Sequence, residues 1–207
     1  MNVILDYDSG NLDSVLRGFI DAKIETIISK DIKVIEEATS LVLPGVGAFG
    51  DAMDALKKSG LIPSILKHVE KGKYLFGICL GMQLLYEKGY EHGVYDGLGL
   101  IEGSVKYLDI SKKVPHMGWN TLSFFQPNDP ILTYIKENDY VYFVHSYYVD
   151  SSLKELISYT TYEKLIPVIV RKNNIYATQF HPEKSGQVGA SILKAYKEIL
   201  DDTDTSD

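Results

Sequence analysis

From Asn2 to Gly89 the chain alternates short apolar runs with stretches of helical period, and no other feature restricts its fold so strongly. NVILDY (2–7) precedes NLDSVLRGFIDA (11–22), where Leu12, Val15, Leu16, Phe19 and Ile20 recur at helical spacing behind Asn11, a residue suited to the N-cap. The strand IETIIS, a short helical stretch from Asp31 to Ala38 and the strand SLVLP follow. Helices near Asp51–Lys58 and Pro63–Lys71 lead to the strand YLFGI, after which GMQLLYEKG reads as a helix. Strands alternating with helices predict an α/β fold: a doubly wound, mainly parallel sheet with helices on both faces.

From about residue 100 the pattern changes. VKYL, YVYFVHSYYV, LISYT, PVIVR and IYATQF are tyrosine- and valine-rich strands with short turns between them, NN at 173–174 among them. They predict an antiparallel extension in the second half, closed by a helix over Gln187–Leu200. No linker or repeat divides the 207 residues, so a single domain over 1–207 is expected, with the acidic DDTDTSD (201–207) as a disordered tail.

Composition removes several function classes. A net charge of −7, with lysines scattered among acids, argues against nucleic acid. One cysteine excludes an internal disulfide, and MNVILDYDSG reaches an aspartate at its sixth residue without a basic region or apolar span. The expectation is a cytoplasmic protein with no membrane contact.

That one cysteine sits in GICLGMQL. G-x-C-x-G between a buried strand and a helix has the geometry of a nucleophile elbow. The strand turns so sharply that side chains at positions 77 and 81 would collide, hence Gly77 and Gly81. Cys79 then projects from the carboxyl end of its strand, where open α/β sheets bind ligands. A helix N-terminus there favours a thiolate, and the Leu80 N–H is placed to donate to an oxyanion.

A thiol attacks best with a base beside it. Of the five histidines, His68 lies in a helix of mixed charge and reads as exposed, and His92 follows an acidic turn. His145 and His181 end apolar strands. Of these two, only His181 has a carboxylate two residues on, Glu183, across the stiff Pro182, which predicts a Cys-His-Glu triad. Neither H-E-x-x-H nor paired cysteines occur, so no metal site is expected.

GVGAFG (45–50) satisfies G-x-G-x-x-G, and Glu70 stands where a ribose ligand would. A dinucleotide-binding module is therefore one reading. Against it, the motif lies outside the first βα unit and follows Pro44 directly. The favoured reading is a glycine loop supplying backbone N–H groups near Cys79, with no cofactor, and its glycines 45, 47 and 50 would let a peptide reorient.

GICLGMQL, FHPEKSG and LPGVGAFG together resemble the triad-type glutamine amidotransferases, and the similarity runs from end to end. DYDSGNLDSV, KVPHMGWN (113–120) and YFVHSYYV (142–149) narrow it, since they look like the glutaminase subunit of imidazole glycerol phosphate synthase in histidine biosynthesis. The resemblance implies that Cys79 attacks the side-chain amide of glutamine, that His181 moves the proton and that Glu183 orients His181. It further implies Gly47, Gln83, Glu91, Ser146 and Tyr147 as glutamine-binding residues, with the backbone of Val46 and Leu80 as the oxyanion hole. A (β/α)-barrel cyclase is the implied heterodimer partner and ammonia acceptor, giving imidazole glycerol phosphate and an aminoimidazole carboxamide ribotide. Asn11, Met117, Trp119, Tyr142 and Lys184 are the implied partner interface, with core packing as the alternative for Trp119 and Tyr142.

One departure stands out: the family commonly reads D-Y-G-x-G-N-L where this chain has DYDSGNL, with Asp8 and Ser9. Alternatives are a paralogous glutaminase feeding another synthase, such as a sugar amidotransferase, and a peptidase acting on γ-glutamyl bonds.

Overall fold

The computed structural model describes residues 1–8 and 10–204. Its elements run β1 (Asn2–Leu5), α1 (Leu12–Asp21), β2 (Thr26–Ser29), α2 (Ile32–Glu37), β3 (Ser40–Leu43), α3 (Phe49–Ser59), α4 (Ile62–Glu70), β4 (Tyr74–Ile78) and α5 (Leu80–Leu84). Then come β5 (Tyr86–Gly89), β6 (Tyr95–Asp96), β7 (Ile101–Tyr107), β8 (His116–Thr121), β9 (Ser123–Phe124), β10 (Tyr140–His145) and β11 (Tyr147–Asp150). β12 (Leu156–Tyr162), β13 (Lys164–Lys172), β14 (Ile175–Thr178) and α6 (Gly186–Asp204) complete the described chain.

The main sheet has the order β2-β1-β3-β4-β14-β13-β12-β9. Its first five strands are parallel and the last three antiparallel, so the doubly wound sheet and its extension are one continuous surface. β1 and β3 are buried at every residue because helices cover both faces. Along β4, Phe76 and Ile78 join Phe19 of α1 and Tyr196 of α6 in one core, while Leu75 joins Ile35, Met53 and Ile65 of α2, α3 and α4 in the other. Phe76 lies 4.6 Å from the Tyr196 ring and meets Phe19 edge-on at 6.1 Å, geometries that aromatic pairs favour.

Five expectations are corrected. The helix over GMQLLYEKG ends at Leu84, because Tyr86–Gly89 pairs with β6 and β7 and tertiary pairing overrides local propensity. YVYFVHSYYV is two strands, since β10 pairs β8 in a two-stranded ribbon while β11 joins a second small sheet, order β11-β7-β5-β6. β14 belongs to the parallel set beside β4 as well as bordering the antiparallel strands. His68 is buried, with Nε2 3.1 Å from the Tyr74 carbonyl, and burial lowers its pKa to about 4. α6 continues through residues 201–204, part of the tail expected to be disordered. Residues 205–207 of that expectation, and Ser9 of the first loop, lie outside the described residues.

Candidate active site

Cys79 joins β4 to α5 with φ 54° and ψ −111°, a conformation that costs an L-residue roughly 1–3 kcal/mol. The glycines at 77 and 81 are explained by space. A Cβ at Gly81 would lie 1.9 Å from the Leu43 carbonyl oxygen, and one at Gly77 about 3.1 Å from Met82 Cα. The Cys79 N–H donates to the Thr178 carbonyl at 2.8 Å, tying the turn to the end of β14. Since α5 is five residues long, its dipole is slight, and the expected electrostatic help reduces to the N–H groups of its first turn. The Leu80 N–H is one of these.

The parallel register Thr178↔Ile78 carries the chain beyond β14 alongside Cys79. His181 follows in extended conformation, φ −92° and ψ 104°, and a single 3₁₀ turn, Pro182–Lys184, places Glu183 under it. His181 Nδ1 lies 2.8 Å from Glu183 Oε1, with both side chains buried. A carboxylate only accepts, so Nδ1 carries the hydrogen and the other ring nitrogen is left for the Cys79 thiol. Burial opposes the imidazolium, but the bonds to Cys79 and Glu183 outweigh it and push the His181 pKa up to about 9.

Asn11 enters the same cluster. It precedes α1 in a left-handed conformation, φ 73°, and its side chain makes no cap bond. Instead its Nδ2 donates to Glu183 Oε1 at 3.3 Å. The expected side-chain N-cap is thus absent, and a residue expected at the partner interface holds the acid of the cluster. Gly18 of α1 is also pressed against Glu183, where a Cβ would come within 2.8 Å of the Glu183 Cβ.

Cys79, Leu80, His181, Val46, Gly47, Gln83, Glu91, Ser146, Tyr147 and Lys184 line one cavity of about 400 Å³. The sequence-predicted triad, oxyanion residues and glutamine-binding residues are therefore brought together. A larger groove of about 630 Å³ between α1 and α6 reaches the back of Glu183 but contains neither the thiol nor His181. Glu91 accepts from the Phe49 N–H at 2.7 Å, which fixes it at the start of α3. Gln83 spends both amide hydrogens on the Tyr147 carbonyl and Gln179 Oε1, each at 3.0 Å, leaving its oxygen for a ligand.

The glycine loop lies over the first turn of α5. A Cβ at Gly45 would meet the Gly81 nitrogen at 2.9 Å and Leu80 Cβ at 3.0 Å, and one at Gly50 would enter the Tyr95 ring. Those two glycines are consumed by packing. Gly47 alone of the three combines a positive φ, 93°, with open space, so the freedom expected of three glycines resides in one. The Tyr7 hydroxyl donates to the Pro44 carbonyl at 2.5 Å and fixes the loop's entry. Asp8 takes φ 65°, the left-handed conformation that the family's glycine would adopt freely.

Met117, Trp119, Tyr142 and Val144 share one face of the β8–β10 ribbon, where Trp119 is paired with Tyr142 and Met117 with Val144. Trp119 is 55% exposed and Met117 59%, so core packing does not account for Trp119, whereas Tyr142 is partly buried with its ring 5.9 Å from that of Trp119. On the opposite face Val141 and Phe143 are buried, and His116 meets His145 at 3.0 Å. Sequence reasoning missed this pair and also Gln179, whose Nε2 lies 3.8 Å from Cys79 Sγ. Gln179 follows β14 directly, in a bend at Gln179–Phe180, so strand alternation gave no signal for it. The histidine pairing depends on the β8–β10 register and left no local signal.

Among the described residues no group of metal-binding side chains occurs, and no helix is long and apolar enough to cross a membrane.

A sequence model of the family described as glutamine amidotransferase class-I matches residues 3–196. The imidazole glycerol phosphate synthase subunit HisH of Lactococcus lactis is 51% identical, over 96% of this chain and 98% of its own. The HisH subunit of Oceanobacillus iheyensis is 47% identical, over 97% and 100%. A glutamine amidotransferase crystal structure superposes with a TM-score of 0.75 at 18% identity, covering 96% of this chain and 98% of the other, and speaks to the fold alone. A strained thiol beside a buried imidazole and carboxylate, in a chain matched nearly end to end, leads to one assignment: the protein belongs to the class-I glutamine amidotransferases, within the family of the HisH subunits of imidazole glycerol phosphate synthase.

Proposed function

We propose that this chain is the glutaminase subunit of an imidazole glycerol phosphate synthase, hydrolysing glutamine to glutamate and passing the ammonia to a (β/α)-barrel cyclase subunit in histidine biosynthesis. Residues 1–207 act as one domain, and the enzyme works in the cytoplasm, where a lone thiol stays reduced. The observation that carries the reading is the buried Cys79–His181–Glu183 cluster opening into a cavity beside an exposed aromatic ribbon.

The thiol proton passes to His181, and the sulfur pair attacks the amide carbon of glutamine. The oxygen of the tetrahedral adduct takes up negative charge, for which the N–H groups of Leu80 and Val46 are the proposed donors. His181 returns the proton to the amine as the C–N bond breaks, releasing ammonia and leaving a γ-glutamyl thioester on Cys79. Water, deprotonated by His181, attacks the thioester; the C–S bond breaks, the pair returns to sulfur and glutamate leaves. Glu183 keeps the Nδ1–H tautomer throughout, so the second nitrogen of His181 is always the one facing the reaction.

Ammonia in water near neutral pH is mostly ammonium, so the product needs a shielded exit. The ribbon supplies a surface to seal it. Met117, Trp119 and Tyr142 present aromatic and thioether groups of the kind that anchor interfaces, with Lys184 at the cavity rim. Asn11 serves that interface from the Glu183 side.

The test is glutamate release from glutamine, with and without a histidine-pathway cyclase subunit and its nucleotide ligand, alongside Cys79→Ala. Stimulation by the partner that the alanine abolishes is the expected result. Thiol-dependent hydrolysis indifferent to the cyclase would assign the ammonia to another synthase, and no hydrolysis in either condition would refute the reading.

A further inference from the structure

Gln179 is fully buried, and its amide reaches the sulfur of Cys79. An amide offers either an acceptor oxygen or a donor nitrogen, and which one faces the sulfur decides what it does there. The surrounding hydrogen bonds settle the orientation. The Tyr147 carbonyl only accepts, so Gln83, 3.0 Å away, must turn its NH₂ group toward it. The second hydrogen of that NH₂ goes to Gln179 Oε1, also at 3.0 Å. Gln179 is left with its own NH₂ directed at Cys79.

The far end of the chain of hydrogen bonds is equally fixed. The same Tyr147 carbonyl accepts the Nδ1–H of His145 at 2.9 Å, which makes His145 Nε2 an acceptor for the Nδ1–H of His116 at 3.0 Å. His116 Nε2 in turn accepts from Asn120 Nδ2 at 3.2 Å. Burial lowers both imidazoles to about 4, so they stay neutral and the directions hold through neutral pH. His116 is further clamped between the rings of Tyr162 and Phe143, at 4.1 and 4.6 Å.

We propose that Gln179 is a catalytic residue of the glutaminase reaction, donating an N–H to the Cys79 sulfur from an orientation set by Gln83 and the Tyr147 carbonyl. The donor stabilises the sulfur whenever it carries the electron pair: after its proton has gone to His181, and again when the C–S bond of the thioester breaks. The inference rests on the glutaminase reading for its role in turnover, but the contact itself is testable without glutamine.

Cys79 is the only cysteine of the chain, so its alkylation by iodoacetamide, a neutral reagent, is read unambiguously by mass spectrometry on the full-length protein. Gln179→Leu removes the donor and is expected to slow alkylation at neutral pH about tenfold, the loss of one hydrogen bond to a charged group. Gln179→Glu keeps the size and the acceptor for Gln83 but turns an oxygen toward the sulfur, and is expected to be slower still. A purely structural Gln179 predicts the reverse, with Glu close to wild type and Leu impaired. Thermal unfolding of the Glu variant verifies that it is folded, so the comparison survives if the Leu variant is not. In the complex both variants lower kcat more than they raise KM. Wild-type alkylation in either variant would overturn the inference. Failure of glutamine hydrolysis by the wild type, with the alkylation order intact, would refute the proposed function and leave the contact standing.

Discussion

Two sides of one cavity hold histidines tuned in opposite directions. On the elbow side His181, bound to Cys79 and Glu183, is raised to about 9. On the ribbon side His145 and its neighbour His116 are lowered to about 4 by burial. Both environments are buried, so desolvation alone does not distinguish them. What differs is the partner: an anion and a thiol on one side, a carbonyl and a second imidazole on the other. The elbow side favours the charged imidazolium beside the thiol. The ribbon side is built to keep its protons still while its outer face presents Trp119 and Met117 to water.

The largest predicted effect falls on the elbow side. Glu183→Gln removes the charge and the tautomer lock, so kcat of the complex should fall by about 10³-fold or more, with KM little changed. It should also change the pH dependence of stability. A raised histidine stabilises the fold fully below pH 6.5 and loses that contribution as pH rises toward 9, so wild type should lose stability across that window and the variant lose less. Activity within a factor of two of wild type would remove Glu183 from the mechanism.

Gly81→Ala comes next. With its Cβ 1.9 Å from a backbone oxygen, the strand-to-helix turn has to shift, and urea unfolding should show a loss of about 3 kcal/mol or more. A loss below about 1 kcal/mol would mean that the turn has slack and that close packing does not hold Cys79 in its strained conformation.

The ribbon responds differently. Trp119→Ala should leave the unfolding free energy within about 0.5 kcal/mol yet weaken cyclase binding by about 2 kcal/mol, measured by calorimetric titration. Unchanged affinity with unchanged stability would take Trp119 out of the interface.

The buried ribbon histidines also bear on acid stability. The unfolded chain takes up protons at its histidines near pH 6.5, whereas folded His145 resists until about 4, so stability is full above 6.5 and falls as pH drops toward 4. His145→Gln should make that decline shallower, read by urea unfolding at pH 4 and at pH 7. An identical decline in both proteins would mean that His145 titrates normally in the fold.

Much of the elbow side was legible in the sequence, because its constraints are local. A strand that turns onto a helix at Cys79 demands glycine two residues either way, and His-Pro-Glu fixes an imidazole and a carboxylate within three positions. The parallel half was legible for a similar reason: apolar runs such as SLVL, flanked by amphipathic helices, leave one arrangement open. What the sequence concealed depends on distant pairing. YVYFVHSYYV is aromatic and β-branched nearly throughout, and only the separate partners of β10 and β11 break it at Ser146. Asn11 reads as a helix cap until the fold brings Glu183, 172 residues away, within its reach. Tyr86–Gly89 has no strand signal of its own and becomes a strand through β6 and β7.

The central claim is that Cys79 carries the glutamyl group between attack and hydrolysis. Mass spectrometry of the complex, quenched in acid during glutamine turnover, tests it most directly. A glutamyl adduct confined to the peptide containing Cys79, and absent from Cys79→Ala, is the predicted result. Turnover that continues in Cys79→Ala, with no adduct on the wild-type thiol, would contradict it.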